Sequence, residues 1–184
     1  VTGGSGEKLD VVQAVGCRVA GTILGAHDYR AASAAEAEAG ARPGTALREA
    51  VKAAAPDGVD VVYDTVGGAA LSETSLRCLK FGGRYAVVGW TATPFAGGGR
   101  GAGATQASAN VLPTNLIMMK SARVMGCPVA IHTRRDPSIR AARVDALGAL
   151  AADGLLAPHV SHAWRGLEHL PAALEAKWNR EIVG

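Results

Sequence analysis

A doubly wound α/β fold on a parallel sheet is predicted by three observations. Val59-Asp-Val-Val-Tyr63 is an apolar, β-branched run broken only by Asp60, and Gly67-Gly68 stop it. Leu71, Ser75, Cys78 and Leu79 then recur at helical spacing until Gly82-Gly83 end the helix. Tyr85-Ala-Val-Val-Gly89 reads as a second buried strand. Continuous apolar runs suit parallel strands covered on both faces. Strand, helix, strand is the βαβ unit, whose crossover is nearly always right-handed. In open sheets of this kind ligands sit at the carboxyl ends of the strands. Those ends fall at Thr65-Val-Gly-Gly68 and at Gly89-Trp90-Thr91.

Composition sets the outer bounds. A chain of 184 residues has enough surface to bury one good core. With 48% hydrophobic and 19% charged residues it belongs with soluble globular proteins rather than disordered ones. Aromatic residues are only 4%, so packing must rest on Val, Leu, Ile and Ala, which suits an α/β sheet. The net charge of +3 is small and the arginines are scattered, which disfavours nucleic acid as a partner. No apolar run approaches the roughly 20 residues of a membrane span, and no signal peptide is visible. Cys17, Cys78 and Cys127 lack the close pairing of a zinc site and read as reduced thiols of a cytoplasmic protein.

In chain order, Gly3, Gly4 and Gly6 precede a helix and read as a phosphate loop, where small residues let backbone N–H groups approach a pyrophosphate. Two features count against an intact loop. Leu9 stands where a third small residue is wanted for helix–strand packing, and Glu7 puts a negative charge in the first turn. Cys17 to Thr22 is the expected second strand, with Thr22 a candidate cofactor contact at its end. The lack of an acid there favours NADP over NAD. His27 and Arg30 are candidates to meet a 2′-phosphate, or else belong to a solvated loop.

A helix over 31–39 closed by Gly40 leads directly to a second helix over 45–55, with no strand between. Residues 92–110 are a Gly-rich loop. A short helix follows over 112–120, with Leu116, Ile117 and Met119 as core, and then a strand over 123–127 ended by Pro128. Asp136 caps the longest helix and Pro137 opens it, with Ile139, Ala142, Val144, Leu147, Leu150 and Ala151 as its apolar stripe up to Asp153-Gly154. Arg134, Arg135, Arg140 and Arg143 form a solvated face. Strands at 157–163 and 181–183 flank a helix at 167–177. His159, His162 and His169 lie there without paired acids or thiols, so no metal site is expected.

Val59-Asp-Val-Val-Tyr-Asp-Thr-Val-Gly-Gly68, Leu76-Arg-Cys-Leu79 and Gly82-Gly-Arg-Tyr-Ala-Val-Val-Gly89 together resemble the nucleotide-binding domain of the medium-chain dehydrogenase/reductase superfamily, and within it the zinc-independent quinone oxidoreductase branch. The likeness resumes at Leu112-Pro-Thr-Asn-Leu-Ile-Met-Met-Lys120, Val124-Met-Gly-Cys127 and Lys177-Trp-Asn179. It implies a Rossmann-like dinucleotide-binding domain over 1–154 and a return segment of the substrate domain over 155–184. Most of the N-terminal GroES-like substrate domain is expected to be lacking. The resemblance further implies NADPH as cofactor, with the nicotinamide end at Thr65, Val66, Gly67, Gly89 and Trp90. The implied substrate is a quinone or an α,β-unsaturated carbonyl compound, and the implied dimer pairs two copies through the edge strand 123–127. No catalytic acid is named by it.

A catalytically silent nucleotide-binding or dimerisation module is the rival reading, because the first helix is about one turn shorter than the family pattern. A methyltransferase of similar fold is disfavoured by the missing acid after the second strand.

Overall fold

The computed structural model describes residues 1–3, 5–15, 25–89, 111–156, 158–179 and 181–183. They divide into two compact units, Val1–Ala31 with Arg140–Gly184, and Ala32–Ile139.

In the first unit, β1 (Thr2–Gly3) is followed by α1 (Gly6–Val15), and β1 pairs in parallel with β2 (His27–Asp28). Leu9 is buried on α1 because β1 offers it a glycine: a Cβ at Gly3 would stand 2.9 Å from Leu9 Cδ2. The close helix–strand approach expected from a small residue on the helix is thus made by a small residue on the strand. The expected strand Cys17–Thr22 lies outside the described residues, among which β1 pairs with β2. The Asp28 carboxylate accepts the Arg30 and Ala31 amides at 2.9 and 3.0 Å, so it caps α2 (Tyr29–Glu38).

In the second unit, Gly40 at φ 62° follows α2, as the sequence predicts. A buried glutamate then starts the next helix. Glu36 accepts the Gly44 amide at 2.6 Å and the Ala46 amide at 2.7 Å, which satisfies orphan donors at the head of α3 (Thr45–Ala54). No strand lies between α2 and α3. The sheet runs β3 (Val59–Asp64), β4 (Leu79–Val87), β5 (Arg123–Gly126), all parallel, with Val62 opposite Tyr85 and Tyr85 opposite Val124. The crossover from β3 to β4 is α4 (Ala69–Cys78), which packs against both α3 and the sheet. That double packing buries Ser72, Thr74 and Leu76 as well as Cys78, while Leu71 and Ser75 of the predicted stripe are only half-buried. Leu76, Leu79, Tyr85 and Leu116 form the core cluster, with Val59, Val62, Val87 and Ile117 against it.

Several expectations are corrected. Gly82 and Gly83 lie inside β4 instead of ending a helix, and the β3–β4 register shifts between Val59 and Val61, so the glycines serve an irregular strand. β3 is covered on one face only among the described residues: Val61 and Tyr63 on the other face are 42% and 69% exposed. In α5 (Thr114–Met119) Leu116 is buried, but Met119 is 65% exposed because so short a helix turns only one face to the core. After Pro128 a further helix, α6 (Val129–Arg135), precedes α7 (Pro137–Ala152). Asp136 does cap α7, through the Ser138 amide and hydroxyl, and Gly154 closes it at φ 69°. Its apolar stripe is nevertheless not buried. Residues 158–163 and 181–183 form no strands, and among the described residues neither run pairs with a strand that would take its amides and carbonyls. The helix between them is α8 (Leu170–Trp178), preceded by a 3-10 turn over Leu167–His169.

Candidate functional site

The carboxyl ends of β3 and β4 are joined by one buried carboxylate. Asp64 Oδ1 accepts the amides of Val66 at 3.0 Å and Gly67 at 2.8 Å. Asp64 Oδ2 accepts the hydroxyls of Ser72 at 3.1 Å and Tyr85 at 2.5 Å. An Asp whose side chain binds backbone two and three residues on closes a local turn, and here the same group also ties α4 and β4 to it. Burial, with the Asp64 hydrogen bond next, holds the Tyr85 hydroxyl far above the ordinary tyrosine range, so it stays a donor.

The Asp64 carbonyl accepts the Val88 and Gly89 amides at 2.8 and 3.2 Å, which brings the end of β4 beside the turn. At Gly89 a Cβ would lie 2.6 Å from the Thr65 carbonyl oxygen, so only glycine permits this approach. Gly67 at φ 70° and Gly68 at φ 93° carry the chain from the turn into α4. The result is a ledge with Gly67 buried, Val66 and Gly89 half-buried and Thr65 exposed.

In the first unit, α1 begins at Gly6, where a Cβ would meet nothing within 4 Å. The open helix start suits an anion approaching backbone N–H groups. Glu7 remains in the first turn, as the sequence states. Of the residues singled out for a cofactor, Gly3, Gly6, Thr65, Val66, Gly67 and Gly89 are described, while Gly4, Thr22 and Trp90 lie outside the described residues. Arg30 lies 5.9 Å from the Tyr29 ring centroid, and His27 belongs to β2 rather than to a loop.

Sequence reasoning assigned no role to Asp64, Ser72, Tyr85 or Asp28. An Asp two or three residues before Gly at a strand end is a legible turn signal, and an Asp before an Ala-rich helix is a legible cap. The tie from Asp64 to Tyr85 spans 21 residues and has no local signature. Among the described residues no group of three or more His, Cys, Asp and Glu is arranged to hold a metal ion. Nor is any described helix long and apolar enough to cross a membrane.

The sequence profile of the zinc-binding dehydrogenases matches residues 9–141. The chain belongs to that family. It is a nucleotide-binding segment of the medium-chain dehydrogenase/reductase type, with parallel strands and flanking helices. Solved structures of similar fold include the CurK enoyl reductase, at 17% identity and a TM-score of 0.62 over 100% of this chain and 44% of that one. CurA from Vibrio vulnificus in complex with NADPH is 17% identical with a TM-score of 0.60, over 100% of this chain and 46% of that one. The nucleotide-binding subdomain of the enoylreductase domain of PpsC from Mycobacterium tuberculosis is 17% identical with a TM-score of 0.55, over 85% of this chain and 69% of that one. The zinc-binding dehydrogenase segment thus spans less than half the length of the first two. No curated protein sequence matches the chain.

Proposed function

We propose that this chain is the nucleotide-binding part of an NADPH-dependent oxidoreductase that delivers hydride, without zinc, to an α,β-unsaturated carbonyl compound or a quinone. The observation that carries the reading is the ledge at the carboxyl ends of β3 and β4. Asp64 holds its turn from beneath while Thr65 stays exposed above. Such strand ends are where dinucleotides bind in open α/β sheets. The enoyl reductases of similar fold, and the NADPH bound to CurA, support the choice of reaction and cofactor.

When bound, the cofactor supplies the hydride and the protein supplies placement. Thr65, Val66, Gly67, Gly89 and Trp90 are assigned to the nicotinamide end. Gly3, Gly4 and Gly6 are assigned to the pyrophosphate, and Thr22 to a further cofactor contact. Residues 1–154 would form the dinucleotide domain and 155–184 the return segment of a substrate domain. Among the described residues β5 lies at the edge of its sheet with Val124 and Met125 exposed, which supports pairing of two copies there.

One observation favours a second cofactor reading. β2 ends on Asp28, the kind of residue that binds the ribose hydroxyls of NAD and repels a 2′-phosphate. Titration of the full chain with NADPH and with NADH, followed by nicotinamide fluorescence, separates the cases. NADPH binding, weakened about tenfold by Thr65→Asp, is the expected result. Tighter NADH binding, lost in Asp28→Ala, selects the second reading. NADPH binding without oxidation by an enone or quinone selects the silent module, and no binding of either nucleotide overturns the reading.

A further inference from the structure

The opposite end of the second unit's sheet carries a cavity of about 440 Å³, which lies in the size range of small-molecule sites. Its walls come from one side of α3 and from the amino ends of the strands: Gly58 enters β3, Leu79 opens β4, and Lys120 stands just before β5. Gly58 makes this floor possible. At φ 92°, a Cβ there would lie 2.7 Å from the Cys78 carbonyl oxygen and the Lys80 nitrogen. Six residues of β3 separate this end from the ledge at Thr65, a span of about 20 Å.

The lining is rich in cations. Arg48, Lys52, Arg77 and Lys120 face it, against Glu49 and Asp57. Arg77 is bound to Glu73 at 2.7 Å, but Glu73 is shared with Arg42 at 3.0 Å, so one carboxylate serves two guanidinium groups. Among the described residues Arg48, Lys52 and Lys120 have no carboxylate within ion-pair distance. Lys120 spends a donor on the Leu79 carbonyl, which fixes its ammonium at the wall. Burial lowers the Lys120 pKa most; the Cys78 thiol opposes this, and the fields of Arg48 and Arg77 add to the lowering. The cluster therefore holds like charges that an anion would relieve.

We propose that this cavity is a second ligand site, which takes a phosphate-bearing small molecule. Arg48 and Lys120 are its principal contacts, Arg48 through the paired N–H groups that match an oxyanion and Lys120 as a fixed point charge. Arg77 and Lys52 strengthen the field. The site is independent of the dinucleotide reading, because it lies at the amino ends of strands whose carboxyl ends carry the ledge.

The test is an amide-resolved NMR titration of the full chain with inorganic phosphate at constant ionic strength, with and without saturating NADPH. Saturable shifts are expected at Gly58, Leu79 and Lys120, with the same affinity in both samples. Arg48 is exposed, so Arg48→Gln retains the fold, and it should weaken phosphate binding about tenfold. Lys120→Gln should do the same. The absence of saturable shifts at these amides, or unchanged affinity in both variants, overturns the proposal.

Discussion

The Tyr85 hydroxyl donates to Asp64 Oδ2 at 2.5 Å, linking the carboxyl-terminal part of β4 to the last residue of β3 beneath the candidate ledge. Tyr85 is 1% and Asp64 7% exposed, so water cannot replace either partner. Tyr85→Phe leaves Asp64 with Ser72 and two amides, and is expected to cost about 1–2 kcal/mol. Asp64→Ala strands every one of those donors and should cost about 3 kcal/mol or more. Urea unfolding of both variants checks the order. A larger loss in Tyr85→Phe than in Asp64→Ala would contradict the hub role of the carboxylate.

The same pair sets a pH dependence. In the unfolded chain Tyr85 loses its proton near pH 10, whereas in the folded protein burial and Asp64 raise that value. Above about pH 10 the unfolded state therefore binds fewer protons than the folded one, and stability falls as pH rises. The fall should be smaller in Tyr85→Phe, as measured by urea midpoints between about pH 9 and pH 11.

Glu36 replaces a local cap with one from the preceding helix. Gly44 at the head of α3 has no side chain to cap it, and Glu36 accepts the Gly44 and Ala46 amides instead. Glu36→Ala is expected to destabilise by about 1–2 kcal/mol. Hydrogen exchange should localise the loss to the first turn of α3. Glu36→Gln, which keeps one acceptor, should fall between.

Thiol reactivity should follow burial. Cys78 is 8% exposed and burial pushes its pKa up, while Cys127 is half-buried. Iodoacetamide at neutral pH should alkylate Cys127 before Cys78, as read from peptide masses. Reversal of that order would mean that α4 opens against β4.

Elements with a local cause were legible in the sequence. The βαβ unit was visible because β-branched runs, glycines and helical spacing act over a few residues. Gly40 and Gly154 at helix ends, and Asp136-Pro137 at the head of α7, were visible for the same reason. At the candidate site the same logic located Thr65, Val66, Gly67 and Gly89 at strand ends, because a strand must stop before a turn can begin.

What depends on a partner distant in sequence was decided only in three dimensions. Gly82 and Gly83 look like a helix stop, yet the pairing of Arg84 with Val61 and Arg123 draws them into β4. Leu9 looks too large for a helix packed on a strand until Gly3 is seen beneath it. The runs at 158–163 and 181–183 have strand-forming residues but join no ladder among the described residues, so propensity alone does not make them strands. Asp64 was readable as a turn residue, but its bond to Tyr85 was not. A buried carboxylate takes whatever donors the packed core brings to it, and that choice is made by tertiary structure.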